Sequence, residues 1–239
     1  MKFNRYSKDL DYSYSLGAFP TLELIKYHKE DIISILIHSS FKNQEVINKI
    51  FNSLEKDKII YDDKAFSKLS SKENVYIIGV FRKYKMKIDS NANHILLDSI
   101  SNMGNLGTII RSSLGFDIKN MVLVDQNIDF FDPKVIRASM GAIFSINIEH
   151  FNTLIDYKKT FSEHTIYSFM LNASNSLAAT KFNSNLSTLA FGNEAHGLSD
   201  EYLDNNSIII KHSNLIDSLN ITNAVTIALY EFYNQKGSK

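Results

Sequence analysis

The stretch His94-Ile95-Leu96-Leu97-Asp98, followed shortly by Ser101-Asn102-Met103-Gly104-Asn105-Leu106-Gly107-Thr108-Ile109-Ile110-Arg111-Ser112-Ser113, reads as an apolar strand leading through a glycine-bearing turn into a helix. Two glycines three apart, after a strand and before a helix, let the backbone pass close to a ligand and leave helix N-terminal amides free to face an anion. Read alone, the block is a tight structural turn as readily as a ligand loop. It also has the outline of a dinucleotide-binding turn, with Asp125 as an acidic residue about 20 residues on. In that pattern the third glycine falls at Ile110, and Asp125 serves equally as a turn initiator after the strand Met121–Val124, so the outline is incomplete.

Outward from this block the alternation of strand and helix continues. Strands are expected at 94–98, 120–124, 143–148, 165–170, 187–191 and 207–210, separated by helical segments. Such repetition implies an α/β fold with a mostly parallel sheet covered on both faces, and places ligands at the carboxyl ends of its strands. Upstream, Leu22–Tyr27 is apolar-periodic and Ile32–Ile37 is a β-branched run. Asn43–Lys56 carries Val46, Ile47, Ile50, Phe51 and Leu54 on one helical face. Ile59–Tyr61, a helical turn led by Asp62 and a strand at Tyr76–Phe81 complete a small α/β module. The basic run Arg82-Lys83-Tyr84-Lys85-Met86-Lys87 and the polar stretch Asp89-Ser90-Asn91-Ala92-Asn93 then mark a boundary near residue 90, dividing the chain into 1–90 and 91–239. The basic run is either a solvated edge strand entering a linker or a contact for nucleic-acid phosphates.

The 239 residues are 44% hydrophobic and 22% charged, as in ordinary soluble proteins, and no apolar run reaches the roughly 18 residues a membrane span requires. The first ten residues lack the apolar core of a secretory signal, so a cytoplasmic protein with no membrane partner is expected. Cysteine is absent, which excludes disulfides and thiolate chemistry. The seven histidines show no close metal-ligand spacing, and no metal is expected. The formal net charge is zero, but residues 1–90 hold 16 Lys/Arg against 12 Asp/Glu while the remainder holds 10 against 14, making the N-terminal part the half better suited to contact nucleic-acid phosphates.

Two further blocks carry polar residues at strand and helix ends. Leu189-Ala190-Phe191-Gly192-Asn193-Glu194-Ala195-His196-Gly197-Leu198 is an apolar strand running into a Gly-flanked turn with a single carboxylate. Glu194 is either a helix N-terminal acid or part of a backbone cradle around an adenosine, and His196 reads as a turn residue. Asp217-Ser218-Leu219-Asn220-Ile221-Thr222-Asn223-Ala224 enters a C-terminal helix that Ser218 or Asp217 would cap. Asn220, expected inside the first turn, is harder to explain as structure because Asn is an indifferent helix former.

Taken in order, Asn-x-Gly-Asn-x-Gly-x-x-x-Arg, Gly-x-Glu-x-x-Gly-Leu and Ser-Leu-Asn-Ile-Thr resemble the signature of the SpoU (TrmH-like) RNA 2′-O-ribose methyltransferases. Pro133-Lys134-Val135-Ile136-Arg137-Ala138-Ser139-Met140-Gly141-Ala142 is similar to the family's Arg-Ala-Ser-x-Gly segment, and the likeness covers about residues 93–236. The resemblance implies an α/β trefoil-knotted methyltransferase domain, with the knot formed by 187–235, working as a homodimer through that domain. It also implies S-adenosyl-L-methionine held by Phe191, Gly192, Ile210, Leu219 and Asn220. Arg111, Asn105, Glu194, Ser218 and Asn220 match the family's functional polar positions. Gly17-Ala18-Phe19-Pro20-Thr21 and Tyr76-Ile77-Ile78-Gly79-Val80-Phe81 resemble the small α/β RNA-binding domain, similar to a group of ribosomal proteins, that many members carry ahead of the knot.

The implied substrate is a structured RNA, ribosomal or transfer. One departure from the pattern is Ile210-Lys211-His212, where the family has Ile-Pro-Met; two polar side chains are expected near the cofactor rim. That departure supports an alternative, a catalytically silent RNA-binding or ribosome-assembly protein. A nucleotide-dependent oxidoreductase built on Gly104 and Gly107 would leave the block Ser218–Thr222 without a purpose.

Overall fold

A computed structural model describes residues 3–70, 74–124 and 128–236. The chain forms two compact units, one comprising residues up to Lys85 together with Asp129–Ser145, the other Met86–Ile128 together with residues from Ile146 onward. Thus the segment 129–145, which follows the expected boundary at residue 90, packs with the first unit.

The first unit opens with strand β1 (Tyr12–Leu16), helix α1 (Ala18–His28), β2 (Ile32–Ile37), α2 (Gln44–Ser53), β3 (Ile59–Tyr61), α3 (Asp63–Leu69) and β4 (Ile77–Arg82). Its sheet runs β1-β4-β2-β3, with β4 antiparallel to β1 and β2, and β3 parallel to β2. Asn43 and Asp62 cap α2 and α3 by accepting from the amides of Val46 and Ala65. The sequence does not announce β1, Tyr-Ser-Tyr-Ser-Leu, because its serines are buried on the face where apolar residues are expected. They are tolerated because each is bonded: Ser13 Oγ donates to the Phe131 carbonyl at 2.5 Å, and Ser15 Oγ lies 2.9 Å from Thr21 Oγ1.

The second unit begins with β5 (His94–Asp98), α4 (Met103–Gly115) and β6 (Asn120–Val124). Asp125, the acidic residue of the dinucleotide outline, lies outside the described residues. The chain then crosses to the first unit, where α5 (Pro133–Ala138) packs on β1. Here the family-like segment has a packing role. Ser139 is fully buried with Oγ donating to the Ile136 carbonyl, and Gly141, at φ 81°, sits so near α1 that a Cβ would stand 2.9 Å from Pro20 Cα. A short 3-10 turn, Ala142–Ser145, follows, then β7 (Asn147–Phe151), α6 (Leu154–Thr160), β8 (Thr165–Ser168), β9 (Asn175–Ser176), β10 (Ser187–Phe191), β11 (Ile208–Ile209) and α7 (Ile221–Lys236). The strand expected at 143–148 therefore begins later. Ile143 and Phe144 are apolar because they are buried in the first unit, while β7 takes its register from β6, Asn147 opposite Asn120.

All pairings in the second unit's five-stranded sheet, ordered β7-β6-β5-β10-β8, are parallel. β5, β6 and β10 are buried along nearly their whole length, as expected of strands covered on both faces. From β5 the chain builds outward through β6 to β7, then returns to place β8 at the other edge and β10 beside β5. The order reverses between β5 and β10, so the loops leaving these two strands diverge and open a crevice at their carboxyl ends. Helices α4 and α7 pack together beside it. Among the described residues no helix is long and apolar enough to cross a membrane.

Candidate functional site

The loop leaving β5 turns at Ser99, whose φ is 56°, and enters α4 one residue after Asn102. Asn102 is the cap: its Oδ1 accepts from the amides of Gly104 at 2.8 Å and Asn105 at 3.0 Å. Gly104 and Gly107 therefore lie inside the helix rather than ahead of it, because capping by Asn102 starts the helix earlier than the glycines suggest.

The loop leaving β10 folds back on itself. Asn193 and Gly197 exchange backbone hydrogen bonds of 3.2 and 2.9 Å, closing a tight ring around Glu194, Ala195 and His196. Gly192 lies against the far side of this ring. A Cβ on it would stand 2.1 Å from the Gly197 carbonyl carbon and 2.2 Å from the Leu198 nitrogen, so only glycine fits. Asn193, which sequence reasoning did not single out, fastens the ring in place: its Nδ2 donates to the Ser99 carbonyl at 2.8 Å and its Oδ1 accepts from Ala195 N at 2.8 Å. His196 is an exposed turn residue whose amide donates to the same Oδ1 at 3.3 Å.

Glu194 joins the first two blocks. Its Oε1 accepts from Asn105 Nδ2 at 3.0 Å and from the Asn102 amide at 3.4 Å, and Oε2 from Ser101 Oγ at 3.4 Å. It is indeed an acid at a helix N-terminus, but that of α4, reached across the crevice rather than along the chain. Partial burial works to raise its pKa, yet the hydrogen bonds, led by Asn105, outweigh this and hold the carboxyl below its ordinary range. Glu194 is therefore a fixed anion at neutral pH.

These walls enclose a cavity of about 410 Å³, within the range of small-molecule sites. Phe191, Gly192, Ile210 and Leu219 line it, as do Glu194 and Ser218. Phe169, stacked on Phe191 with ring centroids 4.5 Å apart, supplies a flat apolar wall. The lining also includes His212, one of the two polar side chains expected at the rim, and Asn172 and Asp200, which no sequence motif marks. They come from separate loops that only the fold brings together.

The remaining candidates lie apart from the lining. Asn220 is the cap of α7 rather than a residue of its first turn: its backbone carbonyl accepts from Asn223 N and Ala224 N, and its Oδ1 from the Thr222 amide at 2.9 Å and hydroxyl at 2.6 Å. An indifferent helix former is among the best caps, which accounts for it. Asn105 touches the site through Glu194. Arg111 is exposed on α4, about 240° around the helix axis from Asn105 at 3.6 residues per turn. Of the Lys211-His212 pair, only His212 faces the cavity. Lys211 instead lines a separate hollow with Ile227 and Tyr230. Among the described residues, no group of three or more His, Asp or Glu side chains converges to hold a metal.

Comparison with known proteins gives these features a context. A profile described as the SpoU rRNA Methylase family matches residues 92–230. The chain is 29% identical over 145 residues to the 23S rRNA (adenosine(1067)-2′-O)-methyltransferase of Streptomyces azureus, a match covering 57% of this chain and 52% of that protein. It is 26% identical over 224 residues to an uncharacterized tRNA/rRNA methyltransferase of Borreliella burgdorferi, covering 87% and 96%. Several relatives are longer, and the chain spans about half of the Streptomyces azureus enzyme. Among solved structures, the SpoU methyltransferase AviRb of Streptomyces viridochromogenes, in complex with AdoMet, superposes with a TM-score of 0.82 over 95% of this chain and 91% of its own, at 18% identity.

Proposed function

The chain belongs to the SpoU rRNA methylase family, and from that premise we propose that it transfers a methyl group from S-adenosyl-L-methionine to a ribose 2′-hydroxyl of structured RNA, ribosomal or transfer. The observation that carries the reading is the cradle at Gly192, where two backbone segments approach too closely for any side chain, beside the bonded pair Asn105–Glu194. Phe191, Gly192, Ile210 and Leu219 would hold the cofactor, whose sulfonium supplies an electrophilic methyl group.

The protein's own contribution is alignment and charge. Methyl transfer requires the hydroxyl oxygen in line with the methyl carbon and the loss of a weakly acidic proton. Glu194, ionised and held by three donors, would orient Asn105 and the ribose. Ser218 would face the cofactor from the turn before α7, with Asn220 ordering that turn. Arg111, exposed on α4, is proposed to anchor an RNA phosphate and stabilise the developing alkoxide rather than to act as base, a role to which guanidinium groups are poorly suited.

Residues 1–90, with their excess of positive charge, are proposed as the RNA-binding part and 91–239 as a knotted catalytic part. Homodimerisation through the latter is supported by Ile227 and Tyr230, which leave an apolar face of α7 exposed. A cytoplasmic location is proposed with the RNA substrate. The catalytically silent alternative loses half of its support, because Lys211 faces away from the cavity. Calorimetric titration with S-adenosylmethionine, and mapping of 2′-O-methyl sites in ribosomal and transfer RNA with and without the protein, test the proposal. Binding plus one missing site is expected; no binding and no missing site would overturn it.

A further inference from the structure

The cavity's ionisable lining is one-sided. Glu194, His196, Asp200 and His212 belong to the lining, and no lysine or arginine does. Glu194 already receives three hydrogen bonds. Asp200 differs: it is exposed, and among the described residues no hydrogen bond or ion pair reaches its carboxylate. Its backbone is nevertheless well placed. It begins the short turn Asp200–Tyr202, and the buried Tyr202 ties that turn to the end of β5, its hydroxyl donating to Asp98 Oδ2 at 2.6 Å.

We propose that Asp200 is a specificity residue that distinguishes the cationic methyl donor from the uncharged product, an inference resting on the methyltransferase reading above. In methyl transfer the sulfur–methyl bond breaks with its electron pair remaining on sulfur, the oxygen–methyl bond forms, and the hydroxyl proton leaves to solvent. The donor, with ammonium, sulfonium and carboxylate, carries net positive charge; the product, having lost the sulfonium charge, carries none. A carboxylate at the cavity wall without a cationic partner attracts the first and is indifferent to the second. Because Asp200 is open to solvent, the attraction is screened, and a preference of roughly three- to tenfold is expected from it.

The test is calorimetric titration of the full chain with S-adenosylmethionine, S-adenosylhomocysteine and sinefungin, an unreactive analogue bearing an amine where the donor has its methyl-sulfonium. Asp200→Asn should weaken the two cationic ligands three- to tenfold and leave S-adenosylhomocysteine unchanged. Asp200→Glu should keep the preference, and Glu201→Gln, which removes a charge outside the lining, should not alter it. A uniform loss for all three ligands in Asp200→Asn would mean a structural role and overturn the inference. So would no change in that variant, or an equal change in Glu201→Gln. If the unaltered chain binds none of the ligands, the methyltransferase reading falls and this inference with it.

Discussion

Gly192 shows how narrow the requirements at a single residue can be. The atoms that a Cβ would meet are the backbone of Gly197 and Leu198, which cannot swing aside as a flexible side chain can. Gly192→Ala is expected to reopen the ring and lower affinity for S-adenosylmethionine by roughly tenfold or more, alongside an overpacking cost of about 1–3 kcal/mol. Titration and a thermal melt on the same sample check this, and unchanged affinity would contradict the cradle. Asn220 separates two roles in one side chain. Asn220→Ala removes the cap of α7 and should cost about 1 kcal/mol, lowering Tm by roughly 2–4 °C in a chain of this size. Asn220→Asp keeps the accepting oxygen and should keep Tm, while losing methyl transfer if the amide nitrogen serves the cofactor. The Asn105–Glu194 bond was half legible in sequence: both residues stand in motifs, but their contact spans 89 positions and needs β5 and β10 to be neighbours.

At the scale of elements, glycine and serine in strands mark where a neighbour comes close. Gly79, in the middle of β4, would put a Cβ 2.4 Å from Ser15 Oγ and 2.9 Å from Leu24 Cδ2. Gly79→Ala should therefore push α1 away from the sheet and destabilise the first unit by about 1–3 kcal/mol, measured by denaturant unfolding. Most strands are readable because parallel strands buried on both faces are continuous apolar runs, and 94–98, 120–124 and 187–191 stand where the pattern puts them. The exceptions have local causes. β1 hides behind bonded serines, and the apolar run around 143–148 mixes residues buried in one unit with a strand belonging to the other.

At the scale of the molecule, a buried polar network lies at the amino ends of the second unit's strands, opposite the cavity. His94 and His164 stack with centroids 4.3 Å apart, and the Tyr157 hydroxyl links His94 to Thr188, which also meets His164. Burial, more than the neighbouring imidazole, pushes the His94 pKa down to about 4, and burial lowers that of His164. The unfolded chain binds these protons more readily, so the stability is fully present above the ordinary histidine pKa near 6.5 and is lost as pH falls towards 4, by an amount on the order of 3 kcal/mol for His94. Thermal melts between pH 7 and about 4.5 should show it, and His94→Gln should flatten the decline; an equally steep decline in that variant would place the effect elsewhere. The sequence by itself determined the α/β class, most strands and the three blocks, since these depend on local periodicity and on residue types with few alternatives. Only the tertiary structure decided that residues 129–145 pack with the first unit, that His212 and not Lys211 faces the cavity, and that Asn172, Asn193 and Asp200 belong to the site. Those facts depend on which loops the reversed strand order brings together, and no spacing along the chain encodes that.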